Sequence, residues 1–211
     1  MGVFDTLNNS LPPVTVTGSA VVSEAMKFLK LGEGFRANAY KDPLSKNGLP
    51  ITIGYGTTQI NGKPVSLGTT ITEPEAKALL IARIKKDIEA IKKKVKVSLT
   101  TPQMVAAVSI VYNCGAGVLN DKLFTLINQR ASPETIAAQW VKTRPTSGGV
   151  WNEALYKRRV KEAEKFTGVK VIAGTKAAAT GTKATAKFDI KKYLPLLLLA
   201  GIVLFIALKK R

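Results

Sequence analysis

The chain has 211 residues, with 32 Lys/Arg against 14 Asp/Glu (net charge +18), one cysteine and no histidine. The missing histidine excludes His-based triads and His-ligated metals, and the lone Cys114 excludes an internal disulfide and a Cys-rich zinc site. Acid–base chemistry must therefore rest on carboxylates, lysines or tyrosines, while a basic excess of +8 from Thr167 onward and +10 before it favours polyanionic surroundings without choosing among envelope, anionic lipid and nucleic acid.

Residues 1–19 read as an extended lead-in, because Asn9, Ser10, Pro12 and Pro13 interrupt any regular element. They lack the basic and apolar regions of a secretory signal. From Val21 the pattern is helical, with Val22, Ala25, Met26 and Leu29 on one face and a stop at Gly32. Short strands are expected around Ala37 to Tyr40, Ile51 to Tyr55 and Pro64 to Leu67, separated by Asp-Pro and Asn-Gly turns. TEPE at 72–75 has the form of a capping box with Thr72 as cap and Glu75 reaching back. The helix it opens carries Ala76, Leu80, Ile84, Ile88, Ile91 and Val95 on one stripe. Lys85, Lys86, Lys92, Lys93 and Lys94 lie on its other side, most simply as a solvated face.

Thr101-Pro102 and Ser132-Pro133 each pair a capping residue with proline at a helix start, and Trp151 to Phe166 reads as the last helix of the domain. Cys114, within SIVYNCGAG, reads as a small buried hydrophobe. Residues 20–168 thus form an α+β domain with a small β lobe and a larger helical lobe. Residues 169–190, rich in Ala, Thr, Gly and Lys, form a flexible linker whose typical reach is about 25–30 Å. Residues 191–211 end the chain with an uncharged run from Leu194 to Leu208 between basic flanks. As a helix that run measures about 23 Å, short against a hydrocarbon core of about 30 Å. Tyr193 and the flanking lysines suit an interface and can absorb the mismatch, so a single transmembrane anchor is expected here.

The chemistry concentrates in LGEGFRANAYKDPLSKNGLPITIGYGTT at 31–58. Glu33 follows the carboxyl end of the first helix, where the dipole disfavours an anion and favours a retained proton. Asp42 precedes a proline and Thr52 sits in a β-branched strand, so each taken alone also suits an ordinary turn or strand position. Together they fit glycosidic cleavage, which needs one carboxylic acid for the leaving oxygen and one carboxylate for the water or the developing cation. The dense glycines let a sugar chain run close to the backbone.

EGFRANAYKD followed by TIGYG closely resembles the signature of the phage-type lysozymes, glycoside hydrolase family 24. NCGAG at 113–117, Trp140, Gly148-Gly149 and the run from Leu155 through Arg158-Arg159 to Glu162 resemble the later parts of that family's pattern. The resemblance spans residues 20 to 168. It implies a two-lobed muramidase cutting the β-1,4 bond between N-acetylmuramic acid and N-acetylglucosamine, without cofactor or metal and with inversion. Glu33 matches the family's general acid, Asp42 its second carboxylate, and Thr52 the threonine that helps hold the attacking water. Two departures stand out. Asp42 and Thr52 are ten residues apart where the family has six, and Thr57 stands where many relatives have histidine.

The anchor and linker imply a membrane-tethered enzyme in a virion membrane or the host inner membrane. It would act on peptidoglycan during phage entry or in host lysis, with other virion proteins as further partners. An alternative is a non-catalytic structural membrane protein of a virus particle that uses the lysozyme-like fold to bind glycan. Nucleic acid is not expected as the main partner, since the lysine run lacks interleaved aromatic residues.

Overall fold

In a computed structural model, residues 18–30, 34–41 and 48–171 are described. The expected linker, transmembrane anchor and most of the lead-in lie outside the described residues, as do Glu33 and Asp42. The first helix, α1 (Gly18–Lys30), buries Val21, Ala25 and Leu29, so Val21 joins the expected inward face, while Val22 and Met26 are half-buried at its edges. Next come β1 (Arg36–Lys41) and β2 (Ile51–Gly54), an antiparallel pair with Tyr40 opposite Thr52 and Lys41 opposite Ile51. The register shifts between Arg36 and Tyr40, which bends β1. Residues 69–71 extend this sheet along β1, through Ala39 N–H to Thr69 O (2.9 Å) and Ile71 N–H to Ala37 O (2.8 Å).

The strand expected at Pro64 to Leu67 is shorter and earlier. It is the Lys63–Pro64 arm (β4) of a tight hairpin with Gln59–Ile60 (β3), turned by Asn61 and Gly62 with positive φ. Beyond it, Val65 is buried and donates its N–H to Thr58 O, one more bond in the register of the hairpin.

Thr72 and Glu75 close the capping box that opens α2 (Glu73–Lys94), and all six residues of its expected apolar stripe are buried. The five lysines of its other side are exposed. In α3 (Thr101–Cys114) the cap is Thr100, one residue earlier than expected, and its N–H bonds the Gln103 side chain at 2.9 Å. Val105 to Val111 are all buried, because α3 is the central helix and packs against α1, α2 and α6. A helix apolar on every side has no other stable position.

A 3-10 turn (Ala116–Asn120) leads to α4 (Lys122–Asn128) and α5 (Pro133–Lys142), the latter capped by Ser132 as expected. A second two-residue hairpin follows, β5 (Thr146–Ser147) and β6 (Val150–Trp151), with positive φ at Gly148 and Gly149. The last helix of the domain, α6 (Glu153–Thr167), starts two residues later than the sequence pattern suggests, because Trp151 belongs to the hairpin and Asn152 is the cap. Among the described residues no helix is long and apolar enough to cross a membrane.

Candidate active site

A cleft of about 1160 Å³ runs between the β lobe and the helical lobe. Tyr40, Pro50, Thr52 and Gly56 line it from the β side, and Tyr112, Asn113, Arg158 and the Thr146–Gly148 turn line it from the helical side. Thr52, on β2, is 9% exposed and donates its hydroxyl to Pro50 O at 3.1 Å. A hydroxyl has one donor and two acceptor lone pairs, so the lone pairs remain for a group entering the cleft. The Tyr40 opposite carries the Arg36 guanidinium over its ring at 4.4 Å. The cleft lining among the described residues is cationic (Arg36, Arg83, Arg144, Lys157, Arg158 and Lys161) and contains no carboxylate.

The glycines of TIGYG have a structural reason. Ile53 and Thr57 exchange both backbone hydrogen bonds at 2.9 Å, closing a turn that holds Gly54 at φ +64° and Gly56 at φ +94°. A Cβ on Gly54 would lie 3.0 Å from the Ala76 Cβ, so this turn also seats directly on α2. Between the glycines, Tyr55 turns inward to 3% exposure. Its hydroxyl donates to Glu73 Oε1 at 2.6 Å, its carbonyl accepts from the Tyr112 hydroxyl, and Lys30 Nζ stands 5.0 Å from its ring centre. The Glu73 carboxyl is driven down to about 2, first by the Tyr55 hydroxyl and then by Lys77.

The helical wall rests on a buried polar cluster. Glu162, fully buried, accepts from Ser109 Oγ at 2.6 Å, Trp140 Nε1 at 3.1 Å and Arg158 Nε at 3.3 Å. Arg159, also fully buried, pairs with Glu162 at 3.2 Å and bonds Asn113 Oδ1 and Cys114 Sγ. Cys114 is half-buried rather than fully buried as expected, and Arg159 reaches its Sγ from α6. Desolvation still pushes its thiol up, which disfavours the reactive thiolate. Arg144 grips Asp121 with two hydrogen bonds (2.8 and 2.9 Å) and ties the Thr146–Trp151 hairpin to the start of α4.

Of the expected site residues, Thr52 lies in the cleft wall, and Glu33 and Asp42 lie outside the described residues. In chain order residue 33 falls between α1 and β1, and residue 42 directly follows β1. Tyr40, Tyr112, Arg144 and the β5–β6 turn were not read from the sequence as cleft residues. Gly148-Gly149 between two short segments is itself a hairpin signal. The Arg144–Asp121 pairing spans 23 residues and leaves no local trace. Among the described residues no cluster of His, Cys, Asp or Glu could hold a metal ion.

The phage lysozyme family profile matches residues 30–162. The endolysin of Bacillus phage B103 is 30% identical over 174 residues, which cover 81% of this chain and 64% of that protein. The endolysin of Salmonella phage P22 is 35% identical over 96 residues, covering 45% of this chain and 63% of that protein. The chain thus spans less than two thirds of the length of these curated relatives. Among solved structures, the endolysin from Escherichia coli O157:H7 phage FAHEc1 superposes with a TM-score of 0.60 at 30% identity, over 70% of this chain and 94% of that one. The muramidase domain of SpmX from Asticaccaulis excentricus shares the fold, with a TM-score of 0.58 at 24% identity, over 68% of this chain and 94% of that one.

Proposed function

The chain belongs to the phage lysozyme family, and from that premise we propose that it is a muramidase that hydrolyses the β-1,4 bond between N-acetylmuramic acid and N-acetylglucosamine in peptidoglycan. The observation that carries this reading is the cleft between the lobes, with the half-satisfied hydroxyl of Thr52 in its wall. In the proposed reaction Glu33 protonates the leaving glycosidic oxygen. The Asp42 carboxylate draws a proton from water, and Thr52 accepts a hydrogen bond from that water and steadies it. Attack from the face opposite the leaving group inverts the anomeric centre. That requires a carboxyl separation of about 6.5–9.5 Å.

The test is the release of reducing sugars from purified peptidoglycan by the full chain beside a Glu33→Gln variant of equal foldedness. Loss of the acid is expected to cost at least about 100-fold in rate. Equal release by the two proteins would overturn the assignment of Glu33.

The proposal extends to location. The uncharged run Leu194–Leu208 with its basic flanks supports a carboxyl-terminal membrane anchor, and residues 169–190 support a tether. Such an enzyme works on the wall next to its own membrane, in phage entry or host lysis. The full chain should float with phosphatidylcholine vesicles and resist extraction by high salt, whereas a chain truncated after residue 190 should stay in the soluble fraction. Floating of the truncated chain, or release of the full chain by salt, would remove the anchor from the proposal.

A further inference from the structure

Asp87 sits among the buried residues of α2, with its side chain 4% exposed. Arg83, one turn earlier on the same helix, donates its Nε–H to both carboxylate oxygens, at 2.9 and 3.0 Å. Burial pushes the Asp87 carboxyl up, and the Arg83 guanidinium opposes that rise. Withdrawing a charge from water is costly, so a buried ion pair is weak evidence of a contribution to stability. An apolar side chain at position 87 would continue the buried stripe without that cost. The reason for the carboxylate lies in what it does to Arg83.

The pairing holds the guanidinium by Nε alone. Its two terminal nitrogens, Nη1 and Nη2, have no hydrogen-bond partner among the described residues. The guanidinium carbon stands 5.3 Å from the ring centre of Tyr112 on α3, and the Tyr112 hydroxyl is itself tied to Tyr55 O. Arg83 is thus fixed from behind by a buried carboxylate and on its flank by an anchored ring. Its side chain is 41% exposed and lines the cleft, where no carboxylate stands among the described lining residues. The terminal edge of a guanidinium presents two parallel N–H groups that match a planar carboxylate. Because the side chain is already held, little further ordering is needed when such a ligand arrives.

We propose that Arg83 is a specificity-determining residue of the cleft: its Nη1–Nη2 edge receives a carboxylate of the substrate, and Asp87 is the positioning residue that aims it. This rests on the reading of peptidoglycan as the substrate. That polymer carries carboxylates in two settings, on its peptide stems and, where a stem is missing, on the lactyl group of muramic acid. A polymer of N-acetylglucosamine alone has neither. The carboxylate takes no part in bond cleavage, so the contact is made alike in the ground state and the transition state. Its loss therefore raises KM and leaves kcat in place.

The test measures kcat and KM of the full chain on three substrates. These are purified peptidoglycan, the same material with its carboxylates converted to amides, and strands stripped of their stems by an amidase. Arg83→Gln should raise KM on intact peptidoglycan by about 10-fold, with kcat within about 2-fold. On the amidated material parent and variant should have equal KM. A difference that persists on stripped strands assigns the carboxylate to the lactyl group, and one that vanishes there assigns it to the stem. Lys93→Gln removes the same charge from the exposed side of α2 and should leave KM unchanged. Asp87→Asn keeps the guanidinium but loosens its hold, so its KM should lie between parent and Arg83→Gln. Should Arg83→Gln fail to fold with Asp87 left unpaired, the double variant with Asp87→Asn removes both charges and should show the same raised KM. Parent-like KM in the folded Arg83 variants on intact peptidoglycan, or an equal rise on amidated material, would overturn the inference. The two readings fail differently. If the parent releases no sugar, the muramidase falls, and co-sedimentation with intact and amidated peptidoglycan still decides whether Arg83 binds a carboxylate. If the parent releases sugar and the Arg83 variants keep its KM, only the role of Arg83 falls.

Discussion

On the helical side of the cleft seven consecutive residues of α3, Val105 to Val111, are buried, whereas β1 on the other side buries none and β2 buries Thr52, Ile53 and Gly54. The helical wall also hides an ionic cluster, with Arg159 and Glu162 both fully buried and Trp140 donating into it. The β wall is held instead by a glycine turn, by short ladders and by side chains that reach it from α2 and α3. Burial of each large apolar side chain contributes about 1.5–3 kcal/mol, so the stability of the domain resides mainly in the helical lobe. The β lobe contributes little core and holds Thr52, one of the residues of the proposed reaction. Substitutions on the helical side should therefore unfold the protein, and those on the β side should impair its reaction before its fold.

The largest effect is expected at Glu162. Replacing it with alanine strips Ser109, Trp140, Arg158 and Arg159 of one shared acceptor and leaves a buried guanidinium uncompensated. The expected loss is about 3–5 kcal/mol, read from denaturant unfolding. A loss below about 1 kcal/mol would mean that the helical wall does not depend on this cluster. A smaller effect on stability, about 1–3 kcal/mol, is expected for Gly54→Ala, which forces a side chain into positive φ and against Ala76. Its sharper signature is a fall in hydrolysis beyond what the unfolded fraction accounts for. Proportional losses of fold and activity would erase the division between the lobes.

The smallest effect concerns pH. The Glu73 carboxyl is held at about 2, below its ordinary 4.5, by Tyr55, Lys77 and Lys30. Its folded value is depressed, so its contribution is complete above about 4.5 and is lost as the pH falls toward 2. The side chain is 44% exposed, so solvent screening keeps the effect modest. Acid unfolding of the parent should steepen relative to Glu73→Gln across that window, and parallel curves would dismiss the contribution.

Local signals were legible wherever the chain speaks to its near neighbours. The Thr72–Glu75 box, the Ser132-Pro133 start and the apolar stripe of α2 all follow from side chains within a few turns of one another. The resemblance carried the two-lobed fold. What stayed hidden were contacts between distant residues: Tyr55 with Glu73 across 18 positions, Tyr112 with Tyr55 across 57, and Arg159 with Asn113 across 46. A polar pair needs two residues and has no periodicity, so a single sequence holds nothing that couples them. The same limit applied to Cys114, whose neighbour Arg159 arrives from another helix.

Thr52 takes its place from the pairing of Tyr40 with Thr52 and of Lys41 with Ile51, not from the nine residues that join Lys41 to Ile51. Closing a loop grows only with the logarithm of its length, so widening the Asp42–Thr52 spacing from six to ten costs about 0.5 kcal/mol. The chain beyond Asp42 is therefore a place where residues can be inserted or deleted at small thermodynamic cost while the ladder behind it keeps step. A lineage that meets a new cell wall could remodel that stretch without redesigning the threonine it leads to.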